Sequence, residues 1–311
     1  MNVLILGGSG FVGSHLTRLL MPDCHGVTIP CRRRERVREL MVNATTSIVQ
    51  ADIHDDATLA RLMHGKDVVI NLVGILHGDF KRAHVELPRR VASAALKAGV
   101  PRLLHMSALG AAPDAPSQYL RSKAAGEAAI RSVVDAAGNG LNVTIFRPSV
   151  IFGDRDSFLN LFGRLQAVAP VLPLACPNAQ FQPVWVDDVA RAFMASLRRS
   201  ESYGHAYDLC GPRIYTLREL VAYVGELTGH RRSIIGLPDR LSYLQALVME
   251  WLPGAPMTRD NYYSMQKPNV CAAGCTFPFG ITPTVLEAIA PGYLGDDSRQ
   301  GRLQRYVYRQ R

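Results

Sequence analysis

A glycine-rich turn near the first residue constrains the fold of this chain more than any other feature. Residues 1–14 read MNVLILGGSGFVGS, so an apolar run at 3–6 leads into four glycines and then into a helical pattern. The glycines fit two spacings, Gly8-x-Gly10-x-x-Gly13 and Gly7-x-x-Gly10-x-x-Gly13. Glycine permits a tight turn and a close approach of the backbone to a phosphate, and the helix that follows attracts an anion to its N-terminus. The turn therefore predicts a pyrophosphate site at the end of the first strand of a parallel sheet.

Short apolar runs then alternate with helical patterns along the chain. We predict strands at 26–30, 47–51, 67–72, 102–106, 142–146 and 205–209, and helices at 56–63, 81–97, 117–137, 184–199, 217–228 and 240–252. This alternation predicts an α/β fold, a Rossmann-type doubly wound parallel sheet with a smaller, mostly helical C-terminal lobe. We assign residues 1–150 and 184–212 to the Rossmann domain. Residues 151–183 and 213–311 are assigned to the smaller lobe, which would cover the crevice and receive a substrate or partner.

The end of the second strand carries arginines where NAD-binding sheets usually carry an acid. The strand at 26–30 runs into Cys31, Arg32 and Arg33. A carboxylate here would hold the ribose 2′-hydroxyl, whereas guanidinium groups pair with a 2′-phosphate. We therefore predict that Arg32 and Arg33 bind the cofactor and that NADP(H) is preferred over NAD(H), unless only one arginine, or none, points inward. Cys31 is either a thiol activated by these cations or, more simply, a small buried residue.

A tyrosine and a lysine four residues apart predict proton chemistry. Tyr119 and Lys123 share one face of the predicted helix, and a nearby positive charge favours the phenolate form of tyrosine. Tyr119 can then exchange a proton with a carbonyl–alcohol pair while hydride moves to or from the cofactor. Ser107, at the end of a predicted strand, can hydrogen-bond the substrate oxygen, and Lys123 can reach the ribose hydroxyls. We take Ser107, Tyr119 and Lys123 as candidate catalytic residues; the alternative is an ordinary surface helix.

These residues together resemble an extended or atypical short-chain dehydrogenase/reductase. The resemblance rests on the glycine turn, Asp52-Ile53, Asn71-Leu-Val-Gly74, Ser107, Tyr119-x-x-x-Lys123 and Arg147-Pro-Ser149. The runs ADIHD, NLVGIL, FRPSVIFG and PVWVDDVA are most similar to bacterial relatives of the accessory NADPH-binding subunit of respiratory complex I. The resemblance implies that Asp52 and Ile53 flank the adenine, and that residues 72–74 and 148–150 line the nicotinamide side.

The glycine turn, the two arginines, the strand ends and the tyrosine–lysine pair together form one predicted cofactor site. The predicted cofactor-binding residues are Gly7, Gly8, Ser9, Gly10, Phe11, Val12, Gly13, Arg32, Arg33, Asp52, Ile53, Leu72, Val73, Gly74, Tyr119, Lys123, Pro148, Ser149 and Val150. No metal site is predicted, because no cluster of cysteine and histidine has zinc-ligand spacing. Asn71-Leu-Val-Gly74 differs from the common Asn-Ala-Ala-Gly run. This difference changes the expected hydration of the active site and does not change the expected binding of the cofactor.

Three functions remain open on the sequence alone. The first is an NADP(H)-dependent oxidoreductase acting on an unidentified carbonyl or quinone/isoprenoid-like compound. The second is a non-catalytic NADPH-binding structural or sensor protein of a respiratory or quinone-biosynthesis assembly. The third is a nucleotide-sugar epimerase or dehydratase. The sequence names neither the substrate nor the oligomeric state.

Charge and cysteine content bear on partners and location. The net charge is +9, with five arginines at 32–38 and five more at 299–311. Neither cluster is interleaved with aromatic residues in a nucleic-acid-binding motif, so we expect no nucleic-acid binding. The six cysteines are scattered and no leader or membrane-spanning segment is expected, so we predict reduced thiols and a cytoplasmic location.

One helix raises a membrane hypothesis. At 240–252 the apolar residues fall on one helical face, and the last of them, Trp251 and Leu252, end the pattern. The simpler expectation is that this face packs into the smaller lobe. The alternative is weak, salt-sensitive peripheral attachment to the inner face of the cytoplasmic membrane, led by the arginines at 299–311.

Overall fold

The computed structural model describes residues 1–20, 26–33, 45–134, 136–252 and 254–295. The chain divides into two compact units. The first unit comprises Met1–Pro148, Asp187–Leu209 and Thr276–Ile281. The second unit comprises Ser149–Val186, Cys210–Cys275 and Thr282–Arg311.

A seven-stranded, fully parallel sheet forms the centre of the first unit. Its strands are β1 (Asn2–Leu6), β2 (Gly26–Cys31), β3 (Thr46–Gln50), β4 (Val68–Asn71), β5 (Arg102–Met106), β6 (Asn142–Pro148) and β11 (Ala206–Leu209). They lie in the order β3-β2-β1-β4-β5-β6-β11 across the sheet. The helices of this unit are α1 (Phe11–Leu20), α2 (Asp56–Met63), α3 (Leu87–Lys97), α4 (Gln118–Arg131) and α6 (Val186–Ser196). The predicted Rossmann-type α/β fold is confirmed.

Apolar runs explain why the central strands are buried. Leu4 and Leu6 of β1 and Leu103 of β5 are inaccessible to solvent and pack with Val91 of α3 and Leu59 of α2. A parallel strand with helices on both faces needs apolar side chains in both directions, and β1 supplies them at residues 3–6.

The second unit is mostly helical, with short strand pairs. Its helices are α5 (Leu159–Val168), α7 (Leu217–Leu227), α8 (Asp239–Met249), α9 (Arg259–Ser264) and α10 (Leu286–Leu294). Its strands pair as β7 (Ile151–Phe152) with β10 (Val184–Trp185), β9 (Gln180–Phe181) with β12 (Tyr215–Thr216), and β8 (Val171–Leu174) with β13 (Ser233–Gly236). One apolar core joins α5, α7 and α10, and it includes Phe152, Leu172 and Phe181.

Two predicted helices differ from the structure at their ends, and two helices were not predicted. The segment predicted at 81–97 is a π-helical turn, Arg82–Glu86, followed by α3, which starts next to Pro88. The helix predicted at 117–137 ends at Arg131, and Val134 forms an isolated bridge with Gly140. The two helices that the sequence did not predict are α9 and α10, and α10 contains Pro291.

The prediction of uniformly reduced cysteines was also wrong. Cys210 and Cys271, which are 61 residues apart in sequence, form a disulfide with their Cα atoms 6.1 Å apart. Sequence spacing carries no information on a contact between such distant positions. Cys31 is buried beside Ile48, as the simpler interpretation of that thiol expected.

Most of the clustered arginines lie outside the described residues. The arginines at 34–38 and at 299–311 and Cys24 belong to segments that the structure does not describe. Within the described ranges, no helix combines the length and the apolar character needed to cross a bilayer.

Candidate functional site

The first unit brings most of the predicted site residues to the carboxyl ends of its parallel strands. Gly7 follows β1, Arg32 follows β2, Asp52 follows β3, Leu72 follows β4 and Ser107 follows β5. Pro148 is the last residue of β6. Because parallel strands end on the same edge of a sheet, these residues share one edge, where doubly wound folds bind ligands.

The glycine turn between β1 and α1 has the geometry of a phosphate cradle. Gly7 has a φ of +79°, which side chains rarely allow. A Cβ on Gly13 would lie 2.5 Å from the carbonyl oxygen of Gly7 and from the Cα of Gly8, so any side chain there would open the turn. The turn closes with a 3.0 Å hydrogen bond from the Gly10 N–H to the Gly7 carbonyl. The turn leaves the first N–H groups of α1, at Phe11, Val12 and Gly13, outside the helical ladder, so these residues fit a nucleotide pyrophosphate.

The ends of β2 and β3 form a cationic neighbourhood. Arg32 and Arg33 are exposed. Burial and the Arg82 guanidinium, with smaller contributions from Arg90 and Arg32, lower the pKa of His54, while Asp52 opposes them. Asp52 also accepts a 2.9 Å hydrogen bond from the His54 backbone N–H, which fixes the turn that leads to Ile53 and α2.

Helix α4 carries Tyr119 and Lys123 toward the same edge. Ser117 caps the helix by accepting a hydrogen bond from the Leu120 N–H. Lys123 is buried, and its Nζ donates a 3.2 Å hydrogen bond to the Met106 carbonyl at the end of β5. The same Nζ is 5.9 Å from the centre of the Tyr119 ring and would lie 3.1 Å from a Cβ on Gly74. The lysine therefore joins α4, β5 and the loop after β4.

The two titratable groups of this pair are shifted in opposite directions. Burial lowers the pKa of Lys123 to about 8, although Glu127 opposes the shift. Burial raises the pKa of Tyr119 to about 12. The expectation that the charge of Lys123 lowers the pKa of this tyrosine is therefore not met here, because burial outweighs a charge 5.9 Å from the ring centre.

Glu127, four residues after Lys123, anchors a network that the sequence did not predict. Its buried carboxylate accepts two hydrogen bonds from Arg147, at 2.8 and 2.5 Å, and one of 3.3 Å from Arg131. Burial alone would raise the pKa of Glu127, but the hydrogen bond and charge of Arg147, with a smaller contribution from Arg131, outweigh it and hold the pKa below its ordinary value. The Ser107 hydroxyl is buried and has no hydrogen-bond partner among the described residues, so its proton is available to a ligand oxygen.

Asn71 and His84 hold the loop after β4, which contains the predicted nicotinamide-side residues Leu72, Val73 and Gly74. The Asn71 Oδ1 accepts a 3.1 Å hydrogen bond from the Val73 N–H. The His84 Nε2 accepts a 3.0 Å hydrogen bond from the Ile75 N–H, so its Nδ1 carries the proton and donates to the Ser122 Oγ, 2.8 Å away. The Ser122 hydroxyl in turn donates to the Tyr119 carbonyl, 2.7 Å away.

His84 stays neutral and contacts the tyrosine directly. Burial, assisted by the charge on Lys123, lowers the pKa of His84 to about 3. The centres of the His84 and Tyr119 rings are 5.5 Å apart in an edge-on arrangement. His84 lies in the π-helical turn, and a Cβ on Gly126 of α4 would come within 1.9 Å of its carbonyl oxygen. The only sequence signal for this contact was a glycine inside a helix.

Two predicted cofactor residues belong to the second unit. Ser149 is buried and donates a 2.6 Å hydrogen bond to the Asn269 Oδ1. The Val150 N–H donates to the same oxygen, 3.1 Å away. Asn269 therefore fixes the segment that follows β6, and its role there could not be read from the sequence because 119 residues separate it from Val150.

The fold has close counterparts among solved structures. The dTDP-glucose 4,6-dehydratase DesIV from Streptomyces venezuelae, solved with NAD bound, superimposes with a TM-score of 0.65 and is 24% identical in sequence. The alignment covers 78% of this chain and 86% of that chain. At this identity the likeness concerns the fold.

Sequence comparisons give the family. The mitochondrial NADH dehydrogenase (ubiquinone) 1 alpha subcomplex subunit 9 of Mus musculus is 31% identical over 258 residues, which are 80% of this chain and 65% of that protein. The ceramide reductase of Caulobacter vibrioides is 31% identical over 244 residues, 76% of this chain and 74% of that enzyme. These matches confirm the resemblance to a complex I accessory subunit. The NAD dependent epimerase/dehydratase family, whose members bind NAD(P), matches residues 3–210, and this chain belongs to that family.

Proposed function

We propose that this protein is an NADP(H)-dependent oxidoreductase that acts on the carbonyl group of an apolar, quinone-like or isoprenoid-like compound. The observation that carries the proposal is the position of Lys123, which is buried between the Met106 carbonyl and Gly74 and lies on the same helix face as Tyr119. Burying a lysine lowers the stability of the folded protein unless its charge is compensated or has a function. The position of Lys123 beside a tyrosine therefore favours a role in proton transfer.

Three residues of the first unit would each have a separate role in the reaction. The cofactor supplies or accepts the hydride. Tyr119 gives its hydroxyl proton to the carbonyl oxygen during reduction, and its phenolate takes the proton back from the alcohol during oxidation. Lys123 stabilises that phenolate by its charge, and the Ser107 hydroxyl donates a hydrogen bond to the same substrate oxygen.

The preference for NADP(H) rests on the end of β2. Arg32 and Arg33 are exposed at the position where NAD-binding sheets usually carry an acid, and Arg32 is close enough to His54 to affect its pKa. Two guanidinium groups would meet the 2′-phosphate of NADP(H) and gain nothing from the hydroxyl of NAD(H).

An apolar substrate is supported by a relative. One relative at 31% identity is a ceramide reductase, whose name states a lipid substrate. The nucleotide-sugar alternative gains no comparable support from the described residues.

The second candidate function is that of a non-catalytic NADPH-binding subunit of a respiratory assembly. The name of the mouse relative, an NADH dehydrogenase subunit, favours it. The high pKa of Tyr119, about 12, also suits a site that binds nucleotide without turnover. We propose a cytoplasmic location under either function; the Cys210–Cys271 disulfide is unusual for a reducing compartment and does not support this location.

Calorimetry with NADPH and NADH tests the cofactor assignment. We expect NADPH to bind more tightly, and Arg32→Ala and Arg33→Ala each to remove about 1.5–3 kcal/mol of that preference, as charged hydrogen bonds do. Arg198→Ala is the matched control, because it removes the same charge from an exposed site just beyond α6. Equal affinity of the unmodified protein for the two cofactors would overturn the assignment.

Turnover separates the two candidate functions. The NADPH-loaded protein is mixed with a panel of quinones and long-chain ketones, and NADPH oxidation is followed by absorbance. Oxidation that depends on Tyr119 supports the oxidoreductase. Tight NADPH binding with no oxidation by any member of the panel supports the structural subunit.

A further inference from the structure

Helix α8 exposes a stripe of large apolar side chains. The stripe consists of Leu241, Leu244, Val248, Trp251 and Leu252, and their exposed fractions range from 47% to 86%. Hydrogen bonds from the Trp251 N–H to the Val248 carbonyl and from the Leu252 N–H to the Met249 carbonyl extend the helical path past the end of α8. At spacings of three and four residues these side chains lie along one face. The expectation that this face packs into the smaller lobe was wrong.

The opposite face of α8 is already anchored in the second unit. Ser242 and Ala246 are the side chains that α8 buries. The Ser242 Oγ accepts a 3.1 Å hydrogen bond from the Cys176 N–H and donates to the Leu237 carbonyl. Gln245 donates a 2.9 Å hydrogen bond to the Pro173 carbonyl. The helix therefore cannot rotate its stripe inward without losing these bonds.

Two more large apolar side chains of the second unit are exposed. The bond from Gln245 places α8 against β8, which pairs with β13. Val171 of β8 and Ile235 of β13 are 40% and 56% exposed. A group of exposed large apolar side chains such as the stripe on α8 is typical of a docking surface.

The charged residues in and near α8 indicate which kind of partner the stripe contacts. Residues 231–267 carry five basic and three acidic side chains. Glu250 pairs with Arg259 at 2.7 Å, Asp239 accepts a 2.7 Å hydrogen bond from the Tyr262 hydroxyl, and Arg231 pairs with Glu226 at 3.3 Å. The remaining basic residues of this range are Arg232, Arg240 and Lys267. An apolar stripe with a surplus of basic residues is complementary to anionic lipid headgroups above acyl chains.

We infer that the α8 stripe is a lipid-contacting surface that seats the second unit on an anionic bilayer. The helix lies in the plane of the membrane, its leucines and valine enter the headgroup–acyl boundary, and the indole of Trp251 occupies the interface that tryptophan favours. This inference does not depend on the proposed chemistry of the first unit. It differs from the sequence-based hypothesis, in which the arginines at 299–311 led the attachment.

The fluorescence emission of Trp251 can report whether the stripe contacts lipid. The chain has two tryptophans, so Trp185→Phe leaves Trp251 as the sole indole. We expect its emission to shift to shorter wavelength when vesicles of phosphatidylcholine with phosphatidylglycerol are added, and brominated acyl chains to quench it. Raised salt should weaken binding without abolishing it, because apolar burial is insensitive to screening.

Substitutions then assign the contact to the stripe. The double change Leu244→Gln with Val248→Gln should lower the vesicle-bound fraction about tenfold or more, since it removes two of the inserted side chains. Ile214→Gln is the control, because Ile214 is 52% exposed and lies outside the stripe. Both proteins should keep the circular-dichroism spectrum and the unfolding temperature of the parent, which shows that they are folded and separates this test from that of the proposed function.

Three results would overturn the inference. One is unchanged Trp251 emission with every vesicle composition at low salt. Another is a dimer in light scattering that the double change dissociates, because a second copy would then cover the stripe. The third is normal vesicle binding by the double variant together with loss of binding after truncation at Gly295, because residues 296–311 alone would then carry the attachment.

Discussion

Helices α4 and α8 depart from ordinary burial in opposite directions. Helix α4 of the first unit buries Ser122, Lys123 and Glu127. Helix α8 of the second unit exposes leucine and valine and buries Ser242 and Ala246. Polar groups are usually outside and large apolar groups inside, so each helix gives up stability that a conventional arrangement would provide.

The two departures have different physical consequences. The buried charges of α4 are paired and hydrogen-bonded, since Lys123 reaches a carbonyl and Glu127 is held by Arg147. The exposed side chains of α8 have no comparable compensation in water. We interpret α4 as a helix organised for chemistry within its own unit and α8 as a helix organised for a partner outside the chain.

The largest expected effect concerns the chemistry of α4. Tyr119→Phe should keep NADPH affinity and lower hydride transfer about 10²–10⁴-fold, the usual contribution of a general acid. Rapid mixing of the NADPH-loaded protein with any substrate found in the turnover panel measures the rate. Normal turnover by Tyr119→Phe would remove the acid–base role and leave α4 a binding helix only.

Lys123→Met should change the pH dependence of both the free energy of unfolding and the NADPH affinity. The unfolded chain has a lysine pKa of 10.5 and the folded protein holds Lys123 at about 8, so between these pH values the unfolded state binds more protons. The free energy of unfolding should therefore rise through this window by up to about 3 kcal/mol relative to Lys123→Met, which lacks the group. Because the lysine charge is lost as pH rises through about 8, NADPH affinity should fall over the same range in the parent protein only.

Urea unfolding at several pH values, with NADPH titrations alongside, tests both statements. Lys123→Met should be at least as stable as the parent at pH 7, because a buried charge has been replaced by an apolar group. A parallel pH dependence of unfolding in the two proteins would mean that Lys123 keeps its ordinary pKa.

Much of the first unit could be predicted from the sequence because its signals are local. The strands at 102–106 and the helix at 56–63 coincide with β5 and α2, and Asp55 caps α2 through the Thr58 N–H. The motifs placed Ser107, Tyr119 and Lys123 on elements that meet at one edge of the sheet. Each of these features depends on residues close together in sequence, where periodicity and capping act.

The remaining features depend on contacts between distant residues. His84 acts through the Ile75 N–H and Ser122, and its position requires both a π-helical turn and a glycine on α4. The Cys210–Cys271 disulfide joins segments that share no local pattern. The face of α8 was assigned correctly by periodicity, but periodicity alone does not tell whether an apolar face meets a core or a partner.

Glycine-to-alanine substitutions in α4 and α5 should change the free energy of unfolding in opposite directions. Gly126→Ala in α4 should lower the free energy of unfolding by about 1–3 kcal/mol, because the new Cβ would overlap the His84 carbonyl oxygen. Gly163→Ala in α5 meets only ordinary contacts at 3.5 Å or more and should raise that free energy by about 0.5–1 kcal/mol. Denaturant unfolding gives both values, and a stabilising Gly126→Ala would show that the two helix segments can separate freely.

The smallest expected effect is also the strictest test of how α8 differs from a core helix. Leu244 is half exposed, and glutamine has nearly the helix propensity of leucine, so Leu244→Gln should change the free energy of unfolding by less than about 0.5 kcal/mol. Leu220 of α7 is inaccessible to solvent, and Leu220→Ala should cost about 2–5 kcal/mol in the same assay. If Leu244→Gln instead cost as much as Leu220→Ala, the stripe would be covered within the folded chain in solution. In that case the apolar face of α8 would contribute to stability, and its role as a lipid-contacting surface would be lost.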